Sequence, residues 1–140
     1  MAAFDRIGQG NTEIILVVGY SGIGKSALVN EVHKPIVRQQ GYFISGKFDQ
    51  FQRNIPYSAF IEAFQDLMRY LLTENIENLS KLKTKLSASL GNNGQLIIDV
   101  IPEVELIIGQ QPPVQSLEAT ESQNRFNRVF KKFYKCFYHR

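Results

Sequence analysis

The octapeptide Gly19-Tyr20-Ser21-Gly22-Ile23-Gly24-Lys25-Ser26 constrains the fold of this chain more than any other stretch. It fits G-x-x-x-x-G-K-[ST] at every fixed position, and it stands between the apolar run Ile14-Ile15-Leu16-Val17-Val18 and a segment of helical character from Ala27 to Gln40. Strand, glycine loop and helix in that order is the arrangement in which the pattern carries chemistry. Small residues let successive backbone N–H groups curl around a phosphate, and the positive end of the following helix adds to the attraction. Lys25 then reaches the β- and γ-phosphates, and the Ser26 hydroxyl ligates Mg²⁺. The candidate nucleotide contacts are Gly19, Gly22, Ile23, Gly24, Lys25, Ser26 and Ala27, with Ser26 also the candidate metal ligand. The cofactors expected are ATP and Mg²⁺.

The reading extends in both directions from the loop. Met1 to Gly10 reads as the end of a helix, and Glu13 to Gly19 as the first strand. The helix leaving the loop runs from Lys25 to about Lys34, where Pro35, lacking an N–H, is expected to kink or restart it. Gly41 breaks the helix. Tyr42 to Phe48, aromatic and β-branched at its centre, reads as a second strand parallel to the first. Gln50 to Pro56 is a polar loop.

From there the chain reads as helical. Ser58 is a candidate N-cap for an amphipathic helix with Phe60, Ile61, Phe64, Leu67, Met68, Leu71 and Leu72 on its apolar stripe. A second helix starts near Thr73, carries Ile76, Leu79, Leu82, Leu86 and Leu90, and ends at the turn Gly91-Asn92-Asn93-Gly94. Gln95 to Gly109 has β-branched content but helical spacing around Pro102, and two short helices are the favoured reading. Gln110 to Pro113 is a loop. A last helix runs from about Thr120 to the end, with Phe126, Val129, Phe130, Phe133 and Phe137 opposite Arg125, Arg128, Lys132, Lys135 and His139. The fold class expected is therefore α/β: an incomplete P-loop NTPase core of strand, phosphate loop, helix and strand, followed by a mainly helical half. One domain is expected over residues 1–140, with a nucleotide-binding β-loop-α-β unit at 1–56 and a helical part at 57–140.

Composition narrows the function classes. At 44% hydrophobic the chain has material for an ordinary core. A single cysteine, Cys136, permits no intramolecular disulfide and fits a reducing, cytoplasmic setting. No apolar run approaches the roughly 20 residues that span a bilayer, so no membrane span is expected. The net charge of +3 does not call for a nucleic-acid partner, although residues 125–140 hold six Lys and Arg and no acid. A basic amphipathic helix can lie on anionic surfaces, but packing of its apolar face is the simpler reading.

A working triphosphatase also needs an apolar strand ending in an acid that holds Mg²⁺. The nearest match, Leu96-Ile97-Ile98-Asp99, is short and is followed by Val100 where a water-activating Glu would be useful. Asp99 therefore reads as an acid on a short helix. His33 and His139 have no second ligand nearby in sequence. Glu62 with Asp66, and Glu103 with Glu105, read as solvated faces.

The blocks VVGYSGIGKSALVNEVHKPIV, GYFISGKFDQFQRNIPYSAFIEAFQDL, IIDVIPEVELIIGQQPPV and TESQNRFNRVF together resemble the ATPase module of large multi-sensor signalling kinases of cyanobacterial type. That module is of the AAA and STAND class of regulatory ATPases and is similar to origin-recognition-type AAA domains. The resemblance covers nearly the whole chain and implies that Gly19, Gly22, Gly24, Lys25 and Ser26 contact phosphate and Mg²⁺. It further implies that the helix with Asn124-Arg125-Phe126 leads into the strand of the magnesium Asp, which this chain does not reach. By resemblance the chain is expected to be a truncated first half of the module, inactive as an ATPase alone, with nucleotide and other domains of a signalling protein as partners. In such sheets other strands lie between the two read here, which are then left to pair directly or to keep open edges. The alternative function is a protein-interaction module with a vestigial nucleotide loop.

Overall fold

The structure, a computed structural model, describes residues 6–7, 9, 12–38, 41–48 and 57–137. Six α-helices are described: α1 Lys25–Arg38, α2 Ser58–Leu71, α3 Ile76–Leu90, α4 Gly94–Ile98, α5 Glu103–Ile108 and α6 Ala119–Lys135. The 3-10 turn Gly91–Asn93 joins α3 to α4. The chain divides into two compact units, one of residues 1–43 with 139–140 and one of 44–138. The expected polar loop Gln50–Pro56 lies outside the described residues, and so does the expected helix end at Met1–Gly10 except for Arg6, Ile7 and Gln9, of which Arg6 and Ile7 are helical.

The expectation of an α/β core is overturned, because no strand forms among the described residues. A strand exists only where a neighbouring backbone completes its ladder, and hydrophobic content alone supplies no neighbour. Ile14, Leu16 and Val18 are 93%, 85% and 82% exposed, so the first apolar run is not covered by a sheet partner. Tyr42–Phe48 is equally irregular. Its second part, from Ile44, instead lies against the start of α2. The Lys47 N–H donates to Glu62 Oε2 at 3.5 Å, and Ile44 packs on the core. A Cβ at Gly46 would sit 1.8 Å from the Ala59 carbonyl oxygen, so the close approach requires glycine there.

The first unit's helix α1 begins at Lys25 and continues through Pro35 to Arg38 rather than stopping.

In the second unit, α2 begins one residue earlier than a Ser58 cap would give. Tyr57 occupies the N-cap position with φ 62 and ψ 16, and no side chain caps the helix. The buried face of α2 is Ala59, Ala63, Phe64, Leu67, Met68 and Leu71, while Phe60 is 54% exposed. Helix α3 starts at Ile76, not Thr73, because the Asn75 side chain accepts the Asn78 N–H at 2.9 Å and fixes the N-terminus there. It buries Leu86 and Leu90.

Two short helices, α4 and α5, do form over Gln95–Gly109, and they place Ile97, Ile101 and Val104 out of contact with solvent. Helix α3 packs on α5 and α6, α4 packs on the same two, and α2 packs on α5. Phe64 of α2 meets Phe130 and Phe133 of α6 and Phe137 just beyond its end, with ring centroids 5.9, 5.2 and 5.8 Å away. These aromatic contacts and the aliphatic layer from α4 and α5 form one continuous core. Cys136 is buried within it, its thiol 3.4 Å from the Lys132 carbonyl.

Candidate functional site

The glycine loop turns sharply into α1, although no strand precedes it among the described residues. Gly22 and Gly24 adopt φ 81 and φ 97, a left-handed conformation that a side chain strains, and a Cβ on either would meet nothing within 4 Å. These two residues turn the chain so that α1 starts immediately at Lys25. The Leu28 N–H bonds to the Gly24 carbonyl at 3.0 Å, which leaves the N–H groups of Lys25, Ser26 and Ala27 in the first turn, without intrahelical acceptors. At Gly19 a Cβ would come 2.8 Å from Ile23 Cγ2, so Ile23 closes over the start of the loop.

Lys25 folds back over the loop. Its Nζ donates to the Gly19 carbonyl at 2.6 Å and to the Tyr20 carbonyl at 2.7 Å. The ammonium is thereby held at the start of the loop by two of its carbonyls. Ser26 is exposed on the first turn of α1 with its hydroxyl open to a ligand. The donor set is thus backbone amides, one ammonium and one hydroxyl, which suits a phosphate chain with a hard cation. All seven sequence-predicted contacts, Gly19, Gly22, Ile23, Gly24, Lys25, Ser26 and Ala27, fall within this turn and the first turn of α1.

Asp99 takes no strand-end position. It is the exposed C-cap of α4, and its Oδ1 accepts from Gln95 Nε2 at 2.8 Å. Among the described residues no group of three or more His, Cys, Asp and Glu gathers as metal ligands. Glu103 departs from the solvated reading, since its side chain is 15% exposed and its Oε1 lies 2.7 Å from Arg69 Nη2. Asp66 holds the other arm of Arg69 at 2.9 Å. Asp66 and Glu103 thus share the Arg69 guanidinium, one on each arm.

Comparison with known proteins places the chain. A family profile described as "AAA ATPase domain" matches residues 1–140. The chain belongs to the AAA ATPase domain family. This AAA ATPase domain is also similar to the hybrid signal transduction histidine kinase G of Dictyostelium discoideum, at 40% identity over 137 residues. The match covers 98% of the present chain and 4% of that kinase's length. No solved structure matches the AAA ATPase domain described above.

Sequence reasoning missed two features of the second unit. Tyr57 falls just before the expected cap and drew no role of its own, yet its ring stacks on Phe130 with centroids 5.9 Å apart. Asn93 reads as part of a turn, yet it lines a cavity with Arg125, Arg128, Val129 and Lys132. The signal for the second lay in the α6 cations, which carry no acid among them.

Proposed function

We propose that this AAA ATPase domain binds Mg-ATP through Gly19–Ser26 and serves as a regulatory nucleotide-binding module of a signal-transduction kinase. The observation that carries the reading is the turn itself: two left-handed glycines, a helix starting at Lys25, and the Lys25 ammonium held on the Gly19 and Tyr20 carbonyls. In this reading the N–H groups of Gly22 to Ala27 cradle the phosphates and Lys25 leaves its carbonyls for the β- and γ-phosphates. The Ser26 hydroxyl ligates Mg²⁺, which neutralises phosphate charge when bound. The relative's name supports placement in a signal-transduction kinase, while the multi-sensor type and the STAND class rest on the resemblance of the sequence blocks and the cytoplasmic setting on the single cysteine.

Turnover is a separate matter from binding. Phosphoryl transfer is catalysed by positioning and charge stabilisation, and an arginine finger alone is worth about 10³ to 10⁵ in rate. Among the described residues, Asp99 is the acid at the end of an apolar run, and it caps a helix instead of facing a phosphate loop from a strand end. The domain is therefore read as one that holds nucleotide and hydrolyses it poorly on its own.

Thermal melting with and without Mg-ATP tests the binding. Ligand at about 100 times its dissociation constant stabilises the folded state by about 2.7 kcal/mol. A melting temperature that rises for the wild type and not for Lys25→Ala supports the proposal. An identical response in both removes the loop from it.

A further inference from the structure

Helix α6 carries a cationic pocket that the nucleotide loop does not use. Asn93, Arg125, Arg128, Val129 and Lys132 enclose about 280 Å³ on the surface of the second unit. Arg125, Arg128 and Lys132 follow one another at spacings of three and four, so they share one side of the helix and repel one another there. No acid lines the cavity, and no ion pair to any of the three cations forms among the described residues. The Arg125 Nε is buried and has no hydrogen-bond partner. Asn93, at the N-cap of α4, makes no capping hydrogen bond with its side chain.

Three unneutralised cations, one of them with a buried donor unsatisfied, and a free amide at the same opening are the groups an anion would satisfy. Arginine forks match a phosphate in bidentate geometry, and lysine adds a point charge. The volume selects among anions. At about 280 Å³ the cavity lies at or below the small end of the range for organic ligands, roughly 300–1,000 Å³, so it seats a phosphate group and not a whole nucleotide. The adjoining larger hollow, lined by Leu117, Glu121, Asn124, Asn127 and Arg128, has a carboxylate on its wall and is the poorer anion site.

We propose that Arg125, Arg128, Lys132 and Asn93 form a second anion site that binds a phosphate dianion, either as the free ion or as the phosphate of a monoester, independently of the Gly19–Ser26 loop.

The test is calorimetric titration of the full chain carrying Lys25→Ala, at constant ionic strength, with inorganic phosphate in one arm and O-phosphoserine in the other. Saturable binding at one site per chain is expected, weakened at least tenfold by adding either Arg128→Gln or Lys132→Gln. Both side chains are exposed, so neither change threatens the fold, and an unchanged circular dichroism spectrum verifies this. Tighter phosphoserine binding identifies the monoester as the source, and tighter binding of inorganic phosphate identifies the free ion. Heats that do not saturate in either arm, or affinity unaltered by both glutamine variants, would overturn the site. Binding present in the wild type but lost in Lys25→Ala would assign the ion to the glycine loop and also overturn it.

Discussion

The Tyr57 hydroxyl donates a hydrogen bond to Asn127 Oδ1 at 3.1 Å, across 70 residues of sequence, and so ties the first turn of α2 to the middle of α6. The same residue holds φ 62, a conformation that non-glycine residues seldom adopt, while its ring lies against Phe126 and Phe130. Left-handed strain of about 1–2 kcal/mol is offset by these contacts. Tyr57→Phe keeps the stacking and is expected to cost below about 1 kcal/mol, the net worth of one exposed hydrogen bond. Tyr57→Ala loses both and should cost about 1–3 kcal/mol, read from the shift in urea midpoint.

The core prediction concerns Phe133, which is fully buried and packs edge-on against Phe64 and Phe137 at 5.2 Å each. Phe133→Ala should destabilise the second unit by about 3–5 kcal/mol. Phe60→Ala should lie within about 0.5 kcal/mol of wild type, because Phe60 is 54% exposed. Chemical denaturation of the two variants checks the contrast; equal losses would contradict the described faces of α2 and α6.

That contrast also shows what was legible in the sequence. Spacings of three and four identified α2 and its core residues Phe64, Leu67, Met68 and Leu71, because helical periodicity is a local property. They could not separate Phe60 from Ala59. The buried face is chosen by what the helix packs against, and the small Ala59 lies where the Gly46 backbone comes close. The strand readings failed for a related reason. Val, Ile and Tyr favour strands only when another strand is beside them, and in Tyr42–Phe48 the Lys47 amide is taken up by Glu62 instead of a ladder partner. The turn at Gly22 and Gly24 and the helix that follows it from Lys25 were legible because they rest on backbone freedom at two glycines and not on distant packing, whereas the strand expected before them was not.

Gly24→Ala tests that backbone freedom. The added methyl meets no neighbour, so any effect arises from holding φ 97 with a side chain. A cost of about 1–2 kcal/mol in the bound loop corresponds to roughly a tenfold loss of Mg-ATP affinity. Gly19→Ala should be milder, since Gly19 holds no left-handed φ and its methyl meets only Ile23 Cγ2, which moves by a change of the Ile23 rotamer. Nucleotide titration of both variants measures the difference.

Asp99→Asn should leave both nucleotide affinity and phosphate release unchanged. The asparagine oxygen still accepts from Gln95, and the residue remains an exposed cap of α4. A steady-state phosphate-release assay checks it, and a large loss confined to turnover would make Asp99 a catalytic acid.

The most direct measurement of the central claim is titration of wild type and Lys25→Ala with a fluorescent ATP analogue in the presence of Mg²⁺. Lys25 leaves two carbonyls for the β- and γ-phosphates in this account, so its removal costs a charge-assisted contact that the backbone amides cannot replace. Saturable binding by the wild type and none by Lys25→Ala at the same concentrations is the predicted result. Equal affinity in the two proteins would contradict it and leave Gly19–Ser26 as a turn without a nucleotide.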